Sequence, residues 1–319
     1  MASQTTYGKA FEYSLAFQYF TYLSKFTKVE IIENQLLTKV KSKYDSLSLN
    51  EQFELNSAAL KSLTFIVNIE PRINNAIDDK DILQIEIAGD RRGQKGDVRD
   101  VIFIRSQQKW EIGFSAKHNH RALKHSRLSH QLDFGLKWIG KSCSQTYWDG
   151  ILPIFNRLQL IRKTNNMTLW SEAFDDKYAE VYKPILESFK GEVVRMSKKD
   201  PRNFAKDFVH YLIGYNDFYK IIKGKKKIEI HGYNINGSLN KGLGKIKTKD
   251  KVDLIKLPNR LIEIDFKENH DNTLIATFNE GWQISFRIHS ASSRVESSLK
   301  FDIKLISTPD SLYKTDIFL

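Results

Sequence analysis

Between Gly96 and Lys117 the sequence reads GDVRDVIFIRSQQKWEIGFSAK, and this stretch restricts the fold more than any other. An acidic pair, Asp97 and Asp100, heads the apolar run Val101-Ile102-Phe103-Ile104. A polar break, Ser106-Gln107-Gln108-Lys109, separates it from a second run, Trp110 to Lys117. Short runs bounded by turn residues predict strands, and the break between them predicts a turn. Period two then sorts the second run. Glu111, Gly113, Ser115 and Lys117 share one face, and Trp110, Ile112, Phe114 and Ala116 take the other. Gly113 leaves room for close approach of a backbone or a phosphate.

The flanking chain supplies the layers such a sheet needs. Phe11, Leu15, Tyr19 and Leu23 recur at helical spacing over residues 7–25, and residues 28–44 and 49–70 also read as helices. Ser48 with Glu51 has the spacing of a capping box. Ile82 to Ile87 alternates like a strand. Leucines at 123, 128, 132 and 136 predict a helix over 122–139, and residues 148–223 read as mainly helical. From Ile228 onward the period returns to two, through 261–266, 274–278, 282–289 and 299–305, with turns at Asp271-Asn272 and Glu280-Gly281. These signals predict a mixed α+β fold: a small central mixed sheet flanked by helices, followed by a C-terminal antiparallel β-rich region. A boundary near 222 divides a helical core region, 1–222, from a β-rich region, 223–319, or the two form one composite domain.

Charge narrows the partners. Lys and Arg total 50 against 38 Asp and Glu, a formal net charge of +12, which suits a polyanion such as nucleic acid. Dense lysines at 223–227 and in the loop 236–251 suit backbone clamping. The one cysteine, Cys143, excludes an internal disulfide and a thiolate zinc site. No basic segment leads a long apolar core at the N-terminus, and no run reaches a membrane span, so the expectation is a soluble cytoplasmic protein.

Carboxylate, strand, turn, strand, lysine is an arrangement suited to metal-assisted phosphodiester cleavage. Carboxylates hold one or two Mg²⁺ ions, and a lysine orients water or neutralises the phosphate. Asp100 is the principal candidate ligand because the apolar run starts directly after it. Asp97 is the second choice. Ser115 would be an accessory group. Glu111 lies roughly 20 Å down the strand from Lys117 at the usual rise per residue.

This pattern resembles the PD-(D/E)xK nuclease superfamily, with two departures. No proline precedes the aspartate, and the acid two residues before the lysine is replaced by Ser115. Glu12 on the first helix is the candidate substitute, since the superfamily often carries a glutamate there. KGDVRDVIFIR, IGFSAKHNHRALKHSRLS and FNEGWQISFRIHSASSRVESSLKFDIKL together resemble the HaeIII family of type II restriction endonucleases. That resemblance implies Mg²⁺-dependent cleavage of double-stranded DNA at the palindrome GGCC with blunt ends, and a cognate DNA methyltransferase in the same system. The alternatives are a loosely specific nuclease and a non-catalytic DNA-binding protein.

A GGCC target needs several donors to guanine O6 and N7. The candidates for DNA contact are His118, Asn119, His120, Arg121, Lys124, His125 and Arg127, with Arg287 and His289 downstream.

Overall fold

The computed structural model describes residues 3–89, 96–119, 122–124 and 126–319. The chain forms two compact units. One comprises Met1–Arg121, Gly214–Lys256 and Ser311–Leu319; the other comprises Ala122–Ile213 and Leu257–Asp310. The architecture is mixed α+β, with two sheets among the described residues.

The first unit is built on a sheet of seven strands: β1 (Val29–Ile31), β2 (Leu83–Ile87), β3 (Val101–Arg105), β4 (Trp110–His118), β7 (Phe218–Lys223), β8 (Lys227–Tyr233) and β13 (Tyr313–Phe318), adjacent in that order. β1 with β2 and β4 with β7 run parallel, and the other pairs run antiparallel. Three helices belong to this unit: α1 (Gln4–Leu23), α2 (Gln35–Asp45) and α3 (Leu49–Ile69). α1 buries Phe11, Leu15, Tyr19 and Leu23, and the Tyr19 ring meets Phe103 of β3 and Phe114 of β4 edge-on at 5.5 and 5.4 Å. Each such fully buried side chain contributes about 1.5–3 kcal/mol, so α1 is fastened to the hairpin it covers. α3 starts at the expected capping box: Glu51 N–H donates to Ser48 Oγ, and Ser48 N–H to Glu51 Oε2.

The second unit carries an antiparallel sheet in the order β5 (Ala122–Lys124), β12 (Ser298–Ser307), β11 (Gln283–His289), β10 (Thr273–Phe278), β9 (Leu261–Phe266), with β6 (Arg127–Ser129) also on β12. Its helices are α4 (Phe134–Ile139), α5 (Gln145–Thr164), α6 (Trp170–Ala173), α7 (Lys183–Lys199) and α8 (Phe204–Ile213), with a π-helical turn at Tyr178–Tyr182. Phe189 of α7 and Phe208 of α8 pack on Phe286 of β11. Glu280 and Gly281, between β10 and β11, both have positive φ, 59° and 79°, as the expected hairpin turn requires.

The structure departs from the sequence reading in five places. The helix over 122–139 is confined to Phe134–Ile139; before it lie β5 and β6. Leu128 is buried opposite Leu299, and Ser126 C=O accepts Phe301 N–H, so pairing with a distant strand overrides the leucine spacing. The helical reading of 148–223 ends at Ile213, because 218–223 is β7, buried along its whole length and therefore without alternation. Ile228 and Ile230 lie in β8, between β7 and β13, rather than in the antiparallel meander. The stretch 28–44 opens with β1, not a helix. Residue 222, the expected boundary, lies inside β7 of the first unit.

Candidate active site

The β3–β4 register pairs Val101 with Phe114 and Ile102 with Gly113, so Asp100 falls opposite Ser115. Asp100 N–H donates to Phe114 C=O at 2.8 Å, which extends the ladder through the aspartate. Residues across an antiparallel pair point to the same face, which brings carboxylate and hydroxyl together. Three donors then converge on Asp100 Oδ2: Ser115 Oγ at 3.1 Å, Ala116 N–H at 2.8 Å and Lys117 Nζ at 3.0 Å. Charge assistance makes the last the strongest, and the three together fix the carboxylate's orientation.

Glu12, on α1, is buried, and its carboxylate is 3.1 Å from Lys9 Nζ. Burial, with the negative charge of Asp100 added, pushes its carboxyl up to about 8, against the opposing pull of Lys9 and Lys117. Glu12, Asp100 and Lys117 therefore share one electrostatic neighbourhood. Two acids in a partly desolvated corner are mutually unfavourable unless a cation or a proton intervenes.

Asp97 is placed differently. Arg99 clasps it in a fork, Nε to Oδ1 at 2.9 Å and Nη2 to Oδ2 at 2.8 Å, and reaches Glu111 through Nη1 at 2.6 Å. Burial alone would raise the Asp97 carboxyl, but the hydrogen bonds and charge of Arg99 outweigh it and hold the carboxyl below the usual range. Gly113 does leave room, and Arg99 takes it: a Cβ there would lie 2.0 Å from Arg99 Cδ. The space expected for a backbone or a phosphate is filled by the side-chain stem of Arg99.

The basic segment after Lys117 divides. His118 stacks on Tyr7 with ring centroids 4.7 Å apart, and burial followed by the charge of Lys223 lowers its pKa. Asn119 N–H donates to Lys223 C=O. Lys124 turns inward, 3.5 Å above the Tyr211 ring and bonded to Tyr211 C=O; burial lowers its pKa to about 7. Arg127 donates to Ser298 Oγ, Arg287 to Asp302, and His289 Nδ1 lies 2.9 Å from Ser290 C=O. Lys124, Arg127, Arg287 and His289 belong to the second unit. His120, Arg121 and His125 lie outside the described residues.

Two residues near the site escape a reading of the sequence alone. Arg99 is one, and the mid-strand glycine at 113 was its signal. The other is Lys220, buried on β7 and paired in register with Ser115. Reading 218–223 as helix conceals that adjacency.

Among the described residues no group of three or more His, Cys, Asp or Glu side chains is gathered to hold a metal. The pair Asp100 and Glu12 nevertheless fits a hard divalent cation. Mg²⁺ is commonly held by one or two carboxylates, with water and substrate phosphate completing the shell. Such an ion would also offset the burial, and the repulsion from Asp100, that raise the Glu12 carboxyl.

An oriented aspartate, a hydroxyl and a lysine at the end of a hairpin in a mixed sheet, with a buried glutamate nearby, suit phosphodiester hydrolysis. Residues 8–309 match the HaeIII restriction endonuclease family. Over 307 residues the chain is 39% identical to the type II restriction enzyme HaeIII of Haemophilus aegyptius, covering 96% of this chain and 95% of that one. The chain belongs to the HaeIII restriction endonuclease family and is a type II site-specific deoxyribonuclease. Enzymes of this type generally use a divalent metal. No solved structure matches it significantly. No helix among the described residues is long and apolar enough to cross a membrane.

Proposed function

We propose that this chain cuts both strands of duplex DNA at GGCC, leaving blunt ends, with Mg²⁺ held by Asp100 and Glu12. The convergence of Ser115, the Ala116 N–H and Lys117 on Asp100 supports this reading most directly. Lys117 presents its ammonium to the reacting phosphate or to the attacking water, and Asp100 keeps that ammonium in place. Ser115 holds the Asp100 carboxylate in one rotamer through its hydroxyl. Glu12, already burdened as a buried acid, completes the negative pair. The bound ion supplies charge neutralisation and a more acidic water. Asp97, engaged by Arg99, is the reserve ligand.

His118 and Asn119 adjoin the catalytic lysine and are assigned to the DNA backbone. Arg127, Arg287 and His289 are assigned to the duplex through the second unit, and His120, Arg121 and His125 retain the same assignment from the sequence. Lys124, occupied by Tyr211, contributes least. A cytoplasmic protein of this kind requires a methyltransferase of matching specificity to protect host DNA.

The test is to digest plasmid with and without Mg²⁺ and sequence the ends. Blunt ends within GGCC, only with metal, are expected. Ends at another sequence would refute the specificity, and metal-independent cutting would refute the chemistry.

A further inference from the structure

The antiparallel sheet of the second unit has two unlike faces. Phe286, Ile288, Phe301 and Ile303 are buried. The opposite face carries Arg287 and His289 on β11, with Lys300, Asp302 and Lys304 on β12. Register pairs Arg287 with Asp302 and His289 with Lys300, and Lys300 in turn with Arg127 on β6. Residues so paired share a face, so Arg127, Lys300 and His289 form one cross-strand row beside Asp302 and Arg287.

Asp302 is the unusual member. Its side chain is 4% exposed, yet it receives Arg287 Nη2 at 3.2 Å and Lys304 Nζ at 3.1 Å, whose side chains are 52% and 41% exposed. A buried carboxylate thus tethers two cations that face outward. All three line a cleft of about 800 Å³ together with Thr273, Ser285 and Asn272.

Resting on the reading of this chain as a sequence-specific DNA cutter, we propose that this face reads guanine edges in the major groove, with Arg287 and Lys304 as donors and Asp302 as the residue that positions them. A phosphate contact needs positive charge and tolerates loose geometry. Here a buried acid cancels part of the charge and fixes the direction of the donors. That combination weakens attraction to phosphate but preserves N–H groups for the neutral acceptors O6 and N7 of guanine. Lys267, His270 and Asp271 also line the cleft, and its hydroxyls and amides offer further partners to base edges.

The experiment is cleavage of duplexes bearing the recognised sequence, with guanine or with 7-deazaguanine, which lacks only the N7 acceptor. The wild type is compared with Arg287→Ala, Lys304→Ala and Asp302→Asn, each checked by thermal melting. Losing one such contact lowers kcat/KM about 10- to 100-fold. The expected signature is non-additivity: 7-deazaguanine slows the wild type but adds little to Arg287→Ala or Lys304→Ala, and Asp302→Asn reduces discrimination against near-cognate sites. Fully multiplicative effects in both exposed-cation variants, with a DNA-binding salt slope reduced by about one in each, would identify phosphate contacts and overturn the proposal. If Asp302→Asn does not fold, the two exposed-cation variants decide alone. A wild type producing no discrete cuts would refute the underlying reading, a result separable from loss of this surface's role.

Discussion

Asp97, Arg99 and Glu111 form one charged cluster on the β3–β4 hairpin; Asp100, Ser115, Lys117 and the nearby Glu12 form another. Both draw on the same two strands and their approach. In the first, one guanidinium meets two carboxylates, and the Asp97 carboxyl is held low. In the second, Lys117 faces Asp100 and Lys9 faces Glu12, yet burial and the charge of Asp100 push the Glu12 carboxyl up to about 8. The first cluster is internally satisfied, as a structural ion pair should be. The second retains a buried acid and a repulsion from Asp100 that a bound cation would relieve, and on that difference we assign it the catalytic role. The sequence ranks Asp100 above Asp97 by its place at the head of the apolar run, and their partners support the same order.

The contrast can be broken most sharply at the aspartates. Asp100→Ala should lower metal-dependent cleavage by about 10²–10⁴-fold in a plasmid assay. Full activity in that variant would transfer the ligand role to Asp97. Arg99→Ala should act on stability instead. Leaving half-buried Asp97 without its fork costs about 3 kcal/mol by urea denaturation, because a poorly compensated charge remains. Cleavage per folded molecule should stay within a few-fold of wild type. The Asp97 carboxyl is depressed, so its stabilisation is present at neutral pH and is lost as pH falls through the lowered value. The stability gap between wild type and Arg99→Ala should therefore narrow in acid; a gap that widens there would contradict the pairing. Glu12→Gln keeps the shape and removes the charge. It should reduce the rate about tenfold and raise the metal concentration required, and an unchanged metal titration would remove Glu12 from the site.

Much of this corner was legible because it is local. Period two over 110–117 put Ser115 and Lys117 on one face, and the polar break predicted the hairpin that sets Asp100 opposite Ser115. The role of Gly113 was not legible. A glycine in a strand announces a close neighbour without naming it, and the neighbour is Arg99. Pairings distant in sequence were also hidden. Leu123 and Leu128 fit a helical stripe until β12, more than 170 residues on, supplies strand partners for their segment. The fully buried β7 lacks the alternation by which a strand is recognised, and Lys220 was lost with it.

The central claim is that the Asp100–Lys117 corner performs the cutting and the Arg99 cluster does not. Lys117→Ala tests it most directly, assayed for plasmid cleavage with Mg²⁺ and for binding to the same DNA. The account predicts that cleavage is abolished while binding survives. Cleavage at the wild-type rate would contradict it.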